Sequence, residues 1–526
     1  MICDRYAPLI RKALASAAFV AAAALLILLP VLHLILVAAN FLVHLFILGL
    51  QLLTSRLPRI GLATVEAPGI EPFVSIHVPA HNEPPALLAE TLRRLSRLRW
   101  KNYEVLVIDN NTADESLWKP IQALCGELGT RFRFFHVDNM KGFKAGALNY
   151  VRQFMDRRAE FIFVVDADYL VRRNALCRAL KYFIDPNIGL IQFPQDYRNI
   201  GAGNLGIALD FKHFFSGYMT MANALGCVPS TGTLTLINVE ALKSVGGFDT
   251  TVITEDADLG FRLALKGYRC VFANESVGQG VMPHDLESLK KQRWRWAFGN
   301  AQILKLNWRR ILFGSELKLG QKIGFLAHLT AWFNFNLIPS ISLIVLAPAA
   351  LLEALSPVQD GIIVLSGFTL LTFMFLRFGT IFYSLRHEGH SHGEIWLAYL
   401  THIGLGWIFS ASWLKCLFNH RSPFLRTNKF LGKVVPGTLR VTLAELSLGI
   451  CLLGACVVLA LTDFVLGPIA AFLMCGARFL IYWVWRQTEH TLRLSKKLLV
   501  GADAASPRAP EPAGAAREIA EPAEAA

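Results

Sequence analysis

Long apolar runs and short alternating ones divide the chain. The first long run extends from about Ala13 to Leu53, broken chiefly by Pro30, His33, Asn40 and His44, and carries no charge. As one helix it would reach about 60 Å, twice the hydrocarbon core of a bilayer, so two helices turning near Pro30 to Asn40 are expected, with a single long helix as the alternative. It is also too long for the apolar region of a signal peptide. Four more runs of spanning length follow, at about Ile323 to Leu352, Gly361 to Leu385, Val441 to Leu461 and Phe464 to Trp485. An amphipathic stretch from Glu394 to Phe418 lies between the two pairs.

The polar segment reads differently. Between Glu71 and Gln195, apolar runs of strand length alternate with stretches of helical period. Strands are predicted at Phe73 to Val78, Glu104 to Ile108, Phe132 to Val137, Phe161 to Val165 and Gly189 to Phe193. Helices are predicted at Ala86 to Leu98, Glu115 to Leu128, Ala145 to Met155 and Asn174 to Phe183. That alternation implies a mainly parallel, doubly wound α/β sheet, with ligands bound beyond the C-terminal strand ends. Those ends carry Asn82 and Glu83, Asp109, and Asp166 with Asp168.

Composition supports a membrane protein: 54% of residues are hydrophobic and 17% charged, with a mean hydropathy of +0.42. The net charge of +13 would suit a nucleic-acid binder, but the excess sits beside the apolar runs. Clusters occur at Arg309, Arg310, Lys318 and Lys322, at Arg421, Arg426, Lys429, Lys433 and Arg440, and at Arg486, Arg493, Lys496 and Lys497. By the positive-inside rule all three face the cytosol, as then does the polar segment, and no nucleic-acid partner is expected. The nine cysteines form no CxxC pair and read as packing residues. His387, His390 and His392 read as a polar loop rather than a metal site. The tail after Gly501, rich in Ala, Pro and Glu, has no apolar periodicity and is expected to be disordered. The predicted organisation is therefore an N-terminal transmembrane segment of two helices (1–55), a cytosolic domain (56–321) with an interface helix near 292–308, a transmembrane hairpin (322–390), an amphipathic segment and loop (391–440), a second hairpin (441–486) and a cytosolic tail (487–526).

Four constellations carry chemistry. Phe163-Val164-Val165-Asp166-Ala167-Asp168 is an apolar strand ending in two carboxylates that can share a divalent cation and the phosphates it bridges. Thr254-Glu255-Asp256, after the Gly246-Gly247-Phe248-Asp249 turn, places a carboxylate where it could deprotonate a sugar hydroxyl, or simply cap the helix that follows. In Gln292-Arg293-Trp294-Arg295-Trp296, helical spacing puts Gln292, Arg295 and Trp296 on one face: an amide, a phosphate-binding guanidinium and a stacking plane. Trp and Arg at a membrane boundary also serve as interfacial anchors. Lys141-Gly142-Phe143-Lys144-Ala145-Gly146 leads into a helix and could hold phosphate, or be a solvated loop.

Taken in order, Asp109, Asp166-x-Asp168, Thr254-Glu255-Asp256 and Gln292-x-x-Arg295-Trp296, followed by paired apolar runs, resemble the processive family-2 glycosyltransferases: cellulose synthase, hyaluronan synthase and bacterial β-1,3-glucan synthases. The resemblance covers about residues 70 to 490. It implies a GT-A fold, a UDP-sugar donor and Mg²⁺ or Mn²⁺ as cofactor. Carried onto this chain, it makes Asp109 a uridine contact, Asp166 and Lys144 donor contacts and Asp168 the metal ligand. Asp256, within Thr254-Glu255-Asp256, becomes the general base. Gln292 and Arg295 hold the diphosphate, and Trp296 stacks on the acceptor. His81-Asn82-Glu83-Pro84 resembles a YNEP donor loop containing Glu83, with His in place of Tyr. Phe424-Leu425-Arg426-Thr427-Asn428-Lys429 resembles a gating loop of form FxVTxK, with Phe424, Thr427 and Lys429 matching and Arg426 departing.

The implied function is inverting transfer from a UDP-sugar, with UDP-glucose favoured, onto a growing β-glucan that is fed across the membrane. Trp332, Phe333 and Phe335, at the start of the first downstream span, are candidates to stack on passing sugars. Implied partners are the donor, the polysaccharide acceptor, the lipid bilayer and accessory export or regulatory proteins. The implied location is the bacterial inner membrane, in several passes. Rival readings are a transferase adding one sugar to a lipid carrier, and a non-catalytic transporter or scaffold. The spans carry few polar residues beyond Glu353, Arg377, Glu445 and Arg478, against the transporter reading.

Overall fold

A computed structural model describes residues 29–58, 71–201, 204–283, 285–419 and 437–480, with positions 62, 64, 482, 483, 485 and 486 beside them. The run before Leu29, the loop holding Phe424, Thr427 and Lys429, and the tail lie outside the described residues.

The five expected strands form, each within two residues of its predicted limits: β1 (Phe73–Ala80), β2 (Tyr103–Asn110), β3 (Phe132–Val137), β4 (Ala159–Val164) and, in the same sheet, β6 (Ile188–Gln192). Between β4 and β6 lies a two-residue strand, β5 (Leu170–Val171). After β6 come β7 (Asp196–Tyr197), β8 (Thr235–Asn238), β9 (Arg269–Phe272) and β10 (Gly278–Gly280). The main sheet runs β3-β2-β1-β4-β8-β6-β9, and β5, β10 and β7 make a small second sheet. β1 pairs in parallel with β2 and β4, with Ile76 opposite Val105 and Phe163. β8 is antiparallel to both β4 and β6. The sheet is thus mixed rather than simply parallel, the arrangement of the expected GT-A class.

Strand alternation builds two cores. Val74, Ile76, Val78, Val105, Val107, Phe163 and Val165 pack with Leu88 and Leu92 of the Pro85–Leu95 helix on one face. Leu106 and Ile108 pack with Ala147 and Val151 of the Phe143–Val151 helix on the other. Opposite-facing side chains in consecutive positions require helices on both sides of the sheet. At the C-terminal ends the chain turns sharply through Asn82 and Asn111, with φ of 49° and 57°, a left-handed conformation that asparagine tolerates better than most side chains.

The helix carrying Gln292 to Trp296 is Leu286–Phe313, beginning six residues before that motif because Asp285 caps it, its Oδ1 accepting from Ser288 N at 2.7 Å. Among the described residues, Pro30–Thr54 and Pro357–Arg386 are long and apolar enough to cross a membrane. They run parallel: Gln51 Oε1 accepts from Arg377 Nη1 at 3.1 Å near one end, and Leu34 lies beside Gly361 near the other. The first runs without a turn from Pro30 through His33, Asn40 and His44 to Thr54.

Two expectations fail here. The run from Ile323 to Leu352 is not one span but two helices, Leu319–Leu329 and Leu337–Leu351, separated by residues 330–336. Trp332, Phe333 and Phe335 therefore sit in the break, not at a helix start. The break is stable because it is buried against protein: Ser410 Oγ donates to Asn334 Oδ1 at 3.0 Å, and Asn334 Oδ1 also accepts from Asn336 N at 2.9 Å. The amphipathic stretch Glu394 to Phe418 is likewise two helices, His392–Gly404 and Gly406–Phe418, bent by 40° and together as apolar as a broken span or re-entrant segment.

Candidate active site

The ends of β1, β2 and β4 open onto a cleft of about 260 Å³. Its walls include Glu83, Asn110, Asn111, Lys144, Asp166, Asp168, Tyr169, Gln195, Tyr197, Gln292 and Arg295. Six of the seven residues expected to hold a donor or metal thus meet in one place, although they span more than two hundred positions of sequence.

The loop after β4 is pinned twice. Thr233 Oγ1 accepts from Asp166 N at 3.0 Å, and Thr91 Oγ1 donates to the Ala167 carbonyl at 2.9 Å. Lys144 Nζ donates to Asp166 Oδ1 at 2.5 Å and to the Gly232 carbonyl at 2.6 Å. Gly232 has φ of +81°, and a Cβ there would lie 2.6 Å from Asp256 Oδ2. Only glycine permits this crossing, which brings Asp256 to the lysine.

Asp109 is the exception. It lies at the end of β2 but off the cleft wall, buried, with Oδ1 3.9 Å from His136 Nδ1 and a hydrogen bond from Thr112. Thr112 Oγ1 in turn accepts from Asn82 N at 2.8 Å. Alternation along the strand turns the neighbouring Asn110 toward the cleft and Asp109 toward the loop behind it. Burial raises the Asp109 pKa, against the Thr112 hydrogen bond.

A second, smaller cavity of about 40 Å³ lies beside the first. Phe214, Phe215, Thr254, Asp256, Trp296, Asn300, His328 and Trp332 are among its lining residues. The Trp296 ring sits 5.6 Å from Trp332 and 5.5 Å, edge on, from Phe211. Asp256 stands between the two spaces, facing the aromatic one while its carboxylate neighbours Gly232 and Lys144.

Thr254, Glu255 and Asp256 open the Glu255–Leu265 helix, with Thr254 at its N-cap position. Two supports escaped the sequence reading. Gln302 Oε1 accepts from Ile253 N at 3.0 Å, and a Cβ on Gly299 would lie 2.3 Å from Thr254. Both lie on the Leu286–Phe313 helix, one or two turns beyond Arg295. No local pattern marks them, because each matters only through a contact across about fifty residues.

The electrostatics are those of a crowded charged junction. Burial, then the adjacent Asp256, raises the Glu255 pKa to about 7. Burial raises Asp256 as well, opposed by Lys144 and Arg295. Burial disfavours the Lys144 cation, but Asp166, Glu255 and Asp256 outweigh it and raise its pKa. Burial lowers Arg295 against the pull of Glu255, Asp256 and Asp166. Two cations and three carboxylates therefore meet at one buried junction, where each charge is held against burial by its opposite neighbours.

Two family models match this chain, "Glycosyl transferase family group 2" over residues 161–414 and "Glycosyl transferase family 2" over residues 75–246. The chain belongs to glycosyltransferase family 2. Its family-2 relatives include cellulose synthase 1 catalytic subunit [UDP-forming] of Komagataeibacter xylinus, 25% identical over 288 residues, covering 53% of this chain and 37% of the relative. Glucomannan 4-beta-mannosyltransferase 7 of Arabidopsis thaliana is 23% identical over 260 residues, 48% of this chain and 47% of the relative. The match thus spans less than half the length of either relative. Among solved structures, a mannosyltransferase of Pyrobaculum calidifontis in complex with GDP-Man and Mn²⁺ is 20% identical, with a TM-score of 0.49, covering 71% of this family-2 chain and 99% of that one.

Proposed function

We propose that this family-2 chain is a multi-pass membrane polysaccharide synthase that transfers glucose from UDP-glucose to a growing β-glucan and passes the product outward between its apolar helices. The observation that carries the reading is the position of Asp256, between a polar cleft at the strand ends and an aromatic cavity leading toward the helices. A donor in the first and an acceptor in the second would meet at one carboxylate.

In this reading Asn110, Asn111 and Glu83 receive the nucleotide, and Asp109 steadies the loops that present them. Lys144, Gln292 and Arg295 hold the diphosphate. Trp296 and Trp332 stack on the acceptor sugar, leaving its hydroxyl at Asp256. Asp256 takes the hydroxyl proton, the oxygen bonds to the anomeric carbon from the face opposite the diphosphate, and the bond to UDP breaks with its electron pair. A single displacement converts an α-linked donor into a β-linked product. Arg295 and Lys144 offset the charge appearing on the leaving oxygen.

The donor set also fits Mg²⁺ or Mn²⁺. Among the described residues no three His, Cys, Asp or Glu side chains gather as a metal cage. Such ions are commonly held by one or two carboxylates completed by substrate phosphates, and Asp168 with Asp166 supplies that number at the cleft. When bound, the ion would neutralise diphosphate charge.

Similarity to a plant 4-beta-mannosyltransferase supports a mannosyl donor as the second reading. Incubating the purified protein in lipid nanodiscs with labelled UDP-glucose or GDP-mannose, then sizing and linkage-mapping the product, tests both. Label incorporated only from UDP-glucose, as polymer, is expected, and absence of incorporation from any nucleotide sugar contradicts the proposal.

A further inference from the structure

Among the buried charged clusters that the chemistry above leaves unused, one lies directly behind Trp296. Asp210 lies on the Leu205–His213 helix, and its Oδ2 accepts from Arg293 Nη2 at 2.5 Å while its Oδ1 meets His402 Nδ1 at 2.9 Å. The three side chains are 2%, 1% and 4% exposed. They come from three separate elements: the helix behind the small sheet, the helix of Gln292 to Trp296, and the first half of the bent pair.

What Arg293 touches next gives the cluster its meaning. Its guanidinium carbon lies 4.1 Å from the centroid of Phe211 and 4.8 Å from that of Trp296. Phe211 is edge on to Trp296 at 5.5 Å and 4.7 Å from Tyr197, a wall residue of the cleft. Taking a carboxylate and a guanidinium out of water is costly, and apolar replacements of such pairs are often as stable. What the pair does supply is a fixed direction: a planar cation held by one carboxylate oxygen, itself fixed by His402, against the back of an aromatic ring.

We propose that Asp210, Arg293 and His402 form a positioning bracket that orients Trp296 for the acceptor and ties that orientation to the bent helix pair. The inference rests on the transferase reading above. None of the three touches the reacting atoms. The bracket sets how well the acceptor sugar stacks, while donor binding depends on the separate wall of Lys144, Gln292 and Arg295.

The test is steady-state kinetics of the full-length protein in nanodiscs, with UDP-glucose as donor and short β-linked gluco-oligosaccharides as acceptor. Arg293→Lys, which keeps the charge but loses the planar face, is expected to raise the acceptor KM about tenfold with the donor KM and the rate at saturating acceptor changed less than about threefold. The double variant Asp210→Asn with Arg293→Gln, which leaves no unpaired buried charge, is expected to do the same. His402→Gln keeps a donor for Asp210 and is expected to restore near-normal acceptor KM, whereas His402→Leu is not. Folded variants with unchanged acceptor KM, or with donor and acceptor KM rising together, overturn the bracket. Failure of the unsubstituted protein to transfer any sugar counts against the transferase reading itself, which separates the two failures.

Discussion

The two cavities on either side of Asp256 differ in the side chains that set them apart. The outer cleft is walled by charge: Lys144, Asp166, Asp168 and Arg295. The inner cavity is walled by rings: Phe214, Phe215, Trp296 and Trp332. A charged wall can hold a diphosphate and relieve the charge it gains on departure, and can do little to grip a neutral sugar. An aromatic wall stacks on a sugar face and tolerates its sliding, since stacking has no fixed hydrogen-bond register. Under the proposed function the two substrates would use two sets of side chains, with Asp256 lining the inner cavity and adjoining Lys144 of the outer one.

That division can be broken or sharpened by substitution. The largest effect is expected at the junction: Asp256→Asn should lower turnover by about 10³-fold while leaving nucleotide-sugar binding within a few-fold, measured by initial rates and by calorimetric titration. Next comes the charged wall. Arg295→Ala should lower kcat by about 10²-fold, with little change in acceptor KM. Replacing the stacking plane should do less and on the other side only: Trp296→Ala is expected to raise acceptor KM by about 3- to 10-fold, with donor KM unmoved. An Arg295 variant that alters acceptor KM alone would dissolve the partition.

The smallest expected effect is on stability. Glu255 has its pKa raised from 4.5 to about 7, chiefly by burial. Between those values the folded protein holds a proton that the unfolded chain has released, so stability is greatest at low pH and falls as pH rises through this window. Thermal unfolding between about pH 5 and pH 7 should show the loss, on the order of 1–3 kcal/mol, and Glu255→Gln should flatten it. An identical slope in the variant would place the titrating group elsewhere.

The same contrast explains what could be read from sequence. The charged cleft was legible because its parts sit at strand ends, and the strands announce themselves: β1 to β4 are short apolar runs between helix-period stretches, and Asp166-x-Asp168 follows β4 directly. Asp109 was read at its strand end, where the structure places it, but its burial against Thr112 and His136 could not be read from the strand alone. β8 and β9 were missed because four-residue strands depend on the neighbours they pair with. The aromatic cavity was legible only as fragments. Trp296 belonged to a helical face, while Trp332 was assigned to a span that the structure breaks at residues 330–336. The partner that meets Asn334 in that break, Ser410, lies some eighty positions away and cannot be read locally. Gly232 and Gly299 were invisible for the same reason: their value is the absence of a side chain where Asp256 and Thr254 approach.

In the proposed function one carboxylate, Asp256, joins the two cavities in making polymer. Purified protein in nanodiscs, supplied with labelled UDP-glucose and Mg²⁺ or Mn²⁺, should yield a ladder or high-mass β-glucan on a gel, and the Asp256→Asn protein should yield none while still binding the nucleotide sugar. Equal polymer from both proteins, or a product carrying a single sugar, would contradict it.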